Sequence, residues 1–131
     1  MSESAIQKDC IEYIRAIGGY AVRVNSGAMQ KKYTPKNGKN AGIEKNYWIA
    51  LAPEGTPDVF SCINGRFVTI EVKKDKKEYE KWVETENTDR RSNAQHHQQA
   101  MIQKAKGITL VVWSLEQLKN DIDELKNNRE L

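Results

Sequence analysis

The chain has 131 residues, of which 30% are charged and 38% are hydrophobic, and its net charge is +3. This composition is ordinary for a globular protein and predicts one domain over residues 1–131. The small net charge excludes a basic nucleic-acid coat, so a nucleic-acid site must come from local clustering of charge. The longest apolar runs fall far short of the ~20 residues that span a bilayer, which excludes a membrane partner.

Two further features of the composition concern the compartment. The first residues lack the basic and apolar regions of a signal peptide. The two cysteines, Cys10 and Cys62, both fall at predicted core positions, and no Cys/His cluster has the spacing of zinc ligands. We therefore expect a cytoplasmic protein with two free thiols.

The first predicted element is an amphipathic helix over residues 3–17. Its apolar side chains recur at helical spacing on one stripe: Ile6, Cys10, Tyr13, Ile14 and Ile17. Ser2 or Ser4 can cap this helix, and two glycines end it. Glu3 lies at the N-terminal end of the stripe, whereas Glu12 lies on the opposite face. The alternating residues 20–25 that follow predict the first strand.

Residues 26–55 predict a long, basic loop in which lysines alternate with aromatic residues. The basic and aromatic residues are Lys31, Lys32, Tyr33, Lys36, Lys39, Lys45, Tyr47 and Trp48. Such a segment can follow a phosphate backbone and stack on unpaired bases, or it can be a surface loop without a partner. Long insertions in small domains are often functional, which favours nucleic-acid contact. Residues 48–51 predict a short strand at its end.

The next stretch predicts a β-hairpin, because Asn64-Gly65 separates two runs of β-branched and aromatic residues. A two-residue type I′ turn fixes the register and places Asp58 opposite Glu71. Opposed like charges destabilise a sheet, so either a divalent cation binds between them or the charges are solvated strand ends. Carboxylate oxygens suit Mg²⁺ or Mn²⁺. Lys73 projects from the same face and can act on a water or a phosphate.

Residues 74–91 carry charges of both signs and predict a solvated excursion that contains a short helix or loop. Ser92 to Gln95 forms a capping box, which predicts a helix from residue 92 to Gly107 with Gln95 closing the cap. His96 and His97 are adjacent, so they point in different directions and cannot act as a pair. Residues 108–113 predict a buried parallel strand, and Ser114 opens the last helix.

The predicted element order is α-β-β-β-α-β-α, which places the chain in the α/β class. We expect a central mixed sheet flanked by helices. Its first three strands form an antiparallel meander, and the third strand, its helix and the fourth strand form a right-handed crossover.

The order of three short motifs resembles the signature of the PD-(D/E)XK nuclease superfamily, most closely its VRR-NUC branch. The motifs are Gly-Thr-Pro-Asp at residues 55–58, Glu-Val-Lys at residues 71–73, and Gln95 on the next helix. This resemblance implies a restriction-endonuclease-like αβββαβ core. It further implies that Asp58 and Glu71 bind one or two Mg²⁺ or Mn²⁺ ions, with the backbone carbonyl of Val72 as a further ligand.

The resemblance implies a catalytic role for three more residues. Lys73 positions the attacking water or stabilises charge on the phosphate, and Gln95 contacts the lysine, a water or the phosphate. Glu3 matches the helix-borne Glu of the family, which helps to bind metal directly or through a water. Both assignments have a structural alternative: Gln95 closes the helix cap, and Glu3 is a favourable charge in the first helical turn.

Small members of this branch resemble dimeric nucleases that act on branched DNA. We therefore expect a Mg²⁺-dependent, structure-specific DNA endonuclease that resolves Holliday (four-way) junctions as a homodimer. One alternative is a nicking or restriction-like nuclease that reads sequence through residues 26–55. Another is a nucleic-acid-binding accessory module without turnover, against which the intact set of Asp58, Glu71 and Lys73 argues.

Overall fold

A mixed four-stranded sheet forms the centre of the computed structural model, which describes residues 1–24, 28–85 and 89–131. Four helices and six strands are present in these ranges. In chain order they are α1 (Glu3–Ala16), β1 (Tyr20–Arg23), β2 (Ala28–Tyr33), β3 (Lys45–Ala50), β4 (Val59–Ile63), β5 (Arg66–Val72), α2 (Lys76–Glu84), α3 (Arg90–Lys104), β6 (Ile108–Val112) and α4 (Leu115–Asn127).

The central sheet has the strand order β1-β4-β5-β6. The pairs β1–β4 and β4–β5 are antiparallel, and β6 joins β5 in parallel after the chain has passed through α2 and α3. Helix α1 packs on β1, β4 and β5, while α3 and α4 pack on β6. The predicted α/β class, the central mixed sheet and the parallel pairing of the last strand are confirmed.

The main core lies between the sheet and the pair α1 and α4. The predicted stripe of α1 buries Ile6, Cys10 and Ile14, and α4 contributes Leu118 and Ile122. The strands supply the remaining buried aliphatic residues: Val59, Ile63, Val68, Ile70, Val72 and Val112. Because each such side chain contributes ~1.5–3 kcal/mol when fully buried, this layer holds the central strands in place.

In residues 26–55 the prediction of one continuous loop is wrong, whereas the predicted short strand at residues 48–51 is largely confirmed, because β3 covers residues 48–50. The described part of this segment contains a second, two-stranded sheet in which Ala28 to Tyr33 pairs antiparallel with Lys45 to Ala50. Described residues on both faces of this hairpin are exposed, so its sequence has no apolar alternation that would predict strands. The end of the predicted first strand at Asn25, the first two residues of the predicted loop and residues 86–88 of the predicted excursion lie outside the described residues.

Two predictions about burial were also wrong. Cys62 is exposed although Cys10 is buried, because the strand face that carries Cys62, Tyr20 and Phe67 is open to solvent at this end and becomes buried only farther along β5, at Thr69 and Glu71. In α3 the buried residues are Ser92 and Gln95, whereas the predicted inner stripe ran through Ala94, Gln98, Met101, Ile102 and Ala105. The inward side of α3 is polar at its N-terminal end, where it faces the acidic end of the β4–β5 hairpin.

Within the described ranges, none of the four helices is both long enough and apolar enough to cross a bilayer.

Candidate functional site

The β4–β5 hairpin has the predicted turn and the predicted register. Asn64 and Gly65 both have positive φ, at 50° and 79°, as a type I′ turn requires. The pairing runs from Ile63 with Arg66 to Val59 with Ile70. Asp58 lies directly before β4 and Glu71 lies near the end of β5, so the turn brings two carboxyl groups to the open end of the hairpin.

Asp58 is fixed by the backbone on both sides. Its Oδ2 accepts a hydrogen bond from the backbone N–H of Val72 at 2.7 Å, and its carbonyl oxygen accepts one from Val24 N at 2.8 Å. The carboxyl group therefore continues the β4–β5 ladder past the last backbone pair. This contact also ties Asp58 to the Glu-Val-Lys segment.

Glu71 is buried, with 4% of its surface exposed. Burial raises the pKa of Glu71 to about 9, and the charge of Asp58 and a hydrogen bond with the Asp58 carboxyl act in the same direction. The charges of Lys73 and Arg91 oppose this rise. Asp58 and Glu71 thus share a site in which the two carboxyl groups cannot be ionised at the same time unless a positive charge compensates them.

Lys73 brings a positive charge to the carboxyl pair. Its Nζ lies 3.9 Å from Glu71 Oε1 and donates a hydrogen bond to Gln95 Oε1 at 2.9 Å. The ammonium also lies 5.3 Å from the centroid of the Trp82 ring, within the range of a cation–π interaction. Burial lowers the pKa of Lys73, and the charge of Glu71 counteracts it.

Gln95 connects the two charged groups. Its side-chain Nε2 donates to Glu71 Oε1 at 3.1 Å, while its Oε1 accepts from Lys73. The alternative that Gln95 closes the helix cap is wrong, because α3 begins at Arg90 and its N-cap is Asp89, whose carboxylate accepts from Arg91 N at 3.1 Å. Gln95 therefore lies in the second turn, where its side chain reaches the sheet.

Glu3 belongs to the cavity wall and not to the hydrogen-bonded group of Glu71, Gln95 and Lys73. It is exposed and is the first residue of α1, as the alternative of a charge in the first helical turn requires. It also lines a cavity of about 160 Å³ together with Lys73 and Gln95. Among the described residues no hydrogen bond joins Glu3 to these side chains, although its charge helps to raise the pKa of Lys73.

Two residues at this cavity were not predicted from the sequence. Trp82 of α2 is buried beneath Lys73 and stacks on His96 with ring centroids 3.8 Å apart. Arg91 lines the cavity from the first turn of α3, and its charge lowers the pKa of both Glu71 and Lys73. An aromatic residue in a charged helix was the available signal for Trp82. Arg91 had no such signal in the sequence, because the helix was predicted to begin after it, at residue 92.

Gly55 holds the loop before Asp58 against α3. Its φ is +84°, and a Cβ at this position would overlap the backbone of Ala94 and lie 2.7 Å from Gln95 N. Glycine is therefore required here for its backbone conformation and for its lack of a side chain. The Gly-Thr-Pro-Asp segment and the turn of α3 that carries Gln95 pack directly against each other.

We expect Gly55→Ala to destabilise the protein and to displace Gln95. The left-handed conformation alone costs ~1–2 kcal/mol for a residue with a Cβ, and the overlap with α3 adds to it. Gly18→Ala is a matched control, since Gly18 has φ +91° and open space around it. Denaturant unfolding should show a clearly larger loss for Gly55→Ala. Equal losses would mean that α3 is not packed on this glycine.

The carboxyl pair fits a small divalent cation. Among the residues that the structure describes, no group of three or more His, Cys, Asp and Glu side chains could hold a metal ion. Mg²⁺ is commonly held by one or two carboxylates and keeps several waters, so Asp58 and Glu71 suffice for it. A cation between them would also supply the positive charge that allows Glu71 to ionise.

Comparisons with known proteins give no match: no family model fits the chain, and neither curated proteins nor solved structures include a significant relative.

Proposed function

We propose that the chain is a Mg²⁺- or Mn²⁺-dependent DNA endonuclease of the PD-(D/E)XK superfamily, in its VRR-NUC branch. The observation that carries this proposal is the hydrogen-bonded connection from Glu71 through Gln95 to Lys73, with Asp58 beside Glu71. Four residues that were selected from short motifs spread over 38 positions (58–95) interact with one another, and two of them, Lys73 and Gln95, line the cavity. Solvated strand ends, the alternative for these charges, do not require burial of Glu71 or a polar helix face opposite it.

The element order also supports the proposal. When the β2–β3 hairpin and α2 are set aside as additions, the remaining order is α1, β1, β4, β5, α3, β6 and α4. Its first six elements follow the αβββαβ order of the restriction-endonuclease-like core that the resemblance implies. We propose that the central sheet and α1, α3 and α4 correspond to that core.

In the proposed site, Asp58 and Glu71 hold the cation, with the Val72 carbonyl as a further ligand. When bound there, a divalent cation would supply Lewis-acid chemistry: it would lower the pKa of the attacking water and offset charge on the scissile phosphate. The Val72 N–H orients Asp58 through its 2.7 Å hydrogen bond. Gln95 donates to Glu71, which favours the ionised carboxylate over the protonated form.

Lys73 acts at the reacting phosphate. Gln95 and Trp82 hold its ammonium group on two sides, so it is oriented before the substrate arrives. It donates to a phosphate oxygen on which charge grows as water attacks phosphorus and the P–O bond to the leaving sugar breaks. Arg91 lines the cavity and adds a positive charge for a flanking phosphate. We propose that Glu3, which lines the same cavity as Lys73 and Gln95, binds the cation through a water.

Branched DNA and a homodimer complete the proposal, and both are supported by the resemblance. Symmetric cutting of a four-way junction needs two active sites, which a two-fold symmetric dimer supplies.

The test is cleavage of four-way junction, flap, single-stranded and linear duplex DNA in Mg²⁺, Mn²⁺, Ca²⁺ and EDTA. We expect paired cuts in the junction with Mg²⁺ or Mn²⁺ and none with EDTA. Ca²⁺ should fail because its larger and more flexible coordination shell misplaces the water. Glu71→Gln should be inactive throughout. Full activity in EDTA would contradict the metal mechanism.

Light scattering on the same sample separates the alternatives. A dimer that cuts the junction symmetrically supports the proposal. A monomer that only nicks duplex DNA would favour the nicking nuclease, and binding without cleavage in every metal would favour the accessory module.

A further inference from the structure

The β2–β3 hairpin is a separate two-stranded sheet with large exposed side chains. Trp48, Tyr33 and Tyr47 are 69%, 56% and 46% exposed, although strands usually bury such residues on one face. An isolated two-stranded hairpin is only marginally stable in water. A partner that covers one face of this hairpin would therefore also stabilise it.

The strand register assigns the side chains to two faces. Lys31 is paired with Tyr47, and Tyr33 is paired with Lys45, so these four side chains share a face, which we name the tyrosine–lysine face. The two tyrosines are diagonal neighbours across the strands, roughly 7–8 Å apart by the usual geometry of such pairs. Each tyrosine lies opposite a lysine. The other face carries Trp48 and Lys32.

The positive charge of the tyrosine–lysine face is not balanced locally. Glu44 is the only acidic residue between positions 28 and 50, and it pairs at 3.6 Å with Lys32 on the opposite face. In the described parts of the chain, neither Lys31 nor Lys45 forms an ion pair. The face therefore presents two uncompensated ammonium groups beside two exposed aromatic rings.

We propose that the tyrosine–lysine face binds an unpaired strand of nucleic acid. Lys31 and Lys45 contact backbone phosphates, and Tyr33 and Tyr47 stack on bases. Duplex DNA fits this surface less well, because its bases already stack on each other and offer no free ring face. Binding at this face requires neither a divalent cation nor cleavage. This proposal therefore goes beyond the proposed endonuclease activity and does not depend on it. For an endonuclease, it would favour substrates with an unpaired segment.

The test is fluorescence anisotropy with a labelled oligothymidine of about 20 nucleotides and a duplex of equal length, in EDTA. We expect single-stranded DNA to bind at least about 10-fold more tightly than duplex. Removal of a stacking ring typically weakens binding by about 5- to 150-fold per base, so Tyr33→Ala and Tyr47→Ala should each show such a loss. Tyr20→Ala, which removes an exposed tyrosine on β1, is the matched control and should bind normally.

A conservative series separates stacking from loss of the hairpin. Tyr47→Phe keeps the ring and should keep binding, whereas Tyr47→Leu keeps an apolar side chain without a ring and should lose it. Lys31→Gln with Lys45→Gln should reduce the slope of log affinity against log salt by about 1.4, at ~0.7 per phosphate contact on single strands. Lys36→Gln with Lys39→Gln removes the same charge from the connecting segment and should change the slope less.

Three results would overturn the proposal: equal affinity for duplex and single strands, unchanged binding by the tyrosine variants, or equal affinity for an acidic peptide. Glu71→Gln measured in the same assay should bind single strands like wild type. Its failure to cleave would then concern the carboxyl site alone, so the two proposals are tested separately.

Discussion

Lys73→Met is expected to lower the rate of DNA cleavage by ~10²–10³-fold while DNA affinity stays close to that of wild type. The ammonium group of Lys73 contacts Gln95 and Glu71. It also makes a cation–π contact with the Trp82 ring. Methionine keeps an unbranched apolar stem on Trp82 but donates no hydrogen bond to a phosphate oxygen. A single lysine adds little to affinity for a long polyanion, so the loss should appear in turnover.

Lys74→Met is the matched control for this experiment. Lys74 is the next residue, is exposed, and loses the same charge on substitution. Cleavage by this variant should stay within a few-fold of wild type at moderate salt. Single-turnover rates on a junction with saturating Mg²⁺, together with thermal melts of both variants, would give the comparison. If Lys73→Met cleaves nearly as fast as Lys74→Met, the assigned role of Lys73 is wrong.

The sequence predicted the end of the hairpin well because the determinants there are local. A two-residue Asn-Gly turn and a side-chain period of two leave one register, so Asp58 and Glu71 had to become neighbours. The resemblance selected the same pair independently.

The role of Gln95 could not be decided from sequence because two capping signals compete. Ser92 with Gln95 forms a capping box, yet Asp89 lies three residues earlier and caps the helix instead. Ser92 is then buried and its hydroxyl lies 3.0 Å from Thr85 Oγ1. Which signal wins depends on packing between α2 and α3, and that packing leaves no local pattern.

The β2–β3 hairpin was missed for a different reason. Strands are recognised from sequence by burial of alternate residues, and the described side chains here face solvent on both sides. The sequence of this segment predicted a nucleic-acid contact and a short strand over residues 48–51, but not the pairing of two strands into a hairpin. The strand register in the structure adds the arrangement of the aromatic residues: Tyr33 and Tyr47 lie on one face of the hairpin and Trp48 lies on the other.

The second large effect concerns the pH dependence of stability in metal-free protein. The pKa of Glu71 rises on folding from the ordinary 4.5 to about 9. Between these values the native state holds a proton that the unfolded chain has lost, so stability falls as pH rises. For one proton the slope is about 1.4 kcal/mol per pH unit. The stabilisation is complete below pH ~4.5 and is lost by pH ~9.

Other ionisable groups also contribute to the measured pH dependence of stability. Wild type is therefore compared with a variant that lacks the Glu71 carboxyl group. The lowered pKa of Lys73 acts with the opposite sign, and Cys10, whose pKa burial raises to about 12, titrates above this window. Glu71→Gln keeps the hydrogen-bonding shape but cannot titrate. We expect the unfolding free energy of wild type in EDTA to fall more steeply from pH 5.5 to 8.5 than that of Glu71→Gln.

If Asp58 and Glu71 bind one Mg²⁺ ion together, Mg²⁺ should reverse this dependence of stability on pH. Binding requires the ionised pair and releases the proton, so the stabilisation RT ln(1 + [L]/Kd) should grow with pH.

Asp58→Asn keeps an oxygen that can accept the Val72 N–H but removes the charge that raises the pKa of Glu71. At pH 8 the metal-free variant should be more stable than metal-free wild type by up to ~1 kcal/mol, and Mg²⁺ should stabilise it less. If Mg²⁺ shifts the melts of both proteins equally, or if wild type shows the slope of Glu71→Gln, the two carboxyl groups do not form a shared metal site.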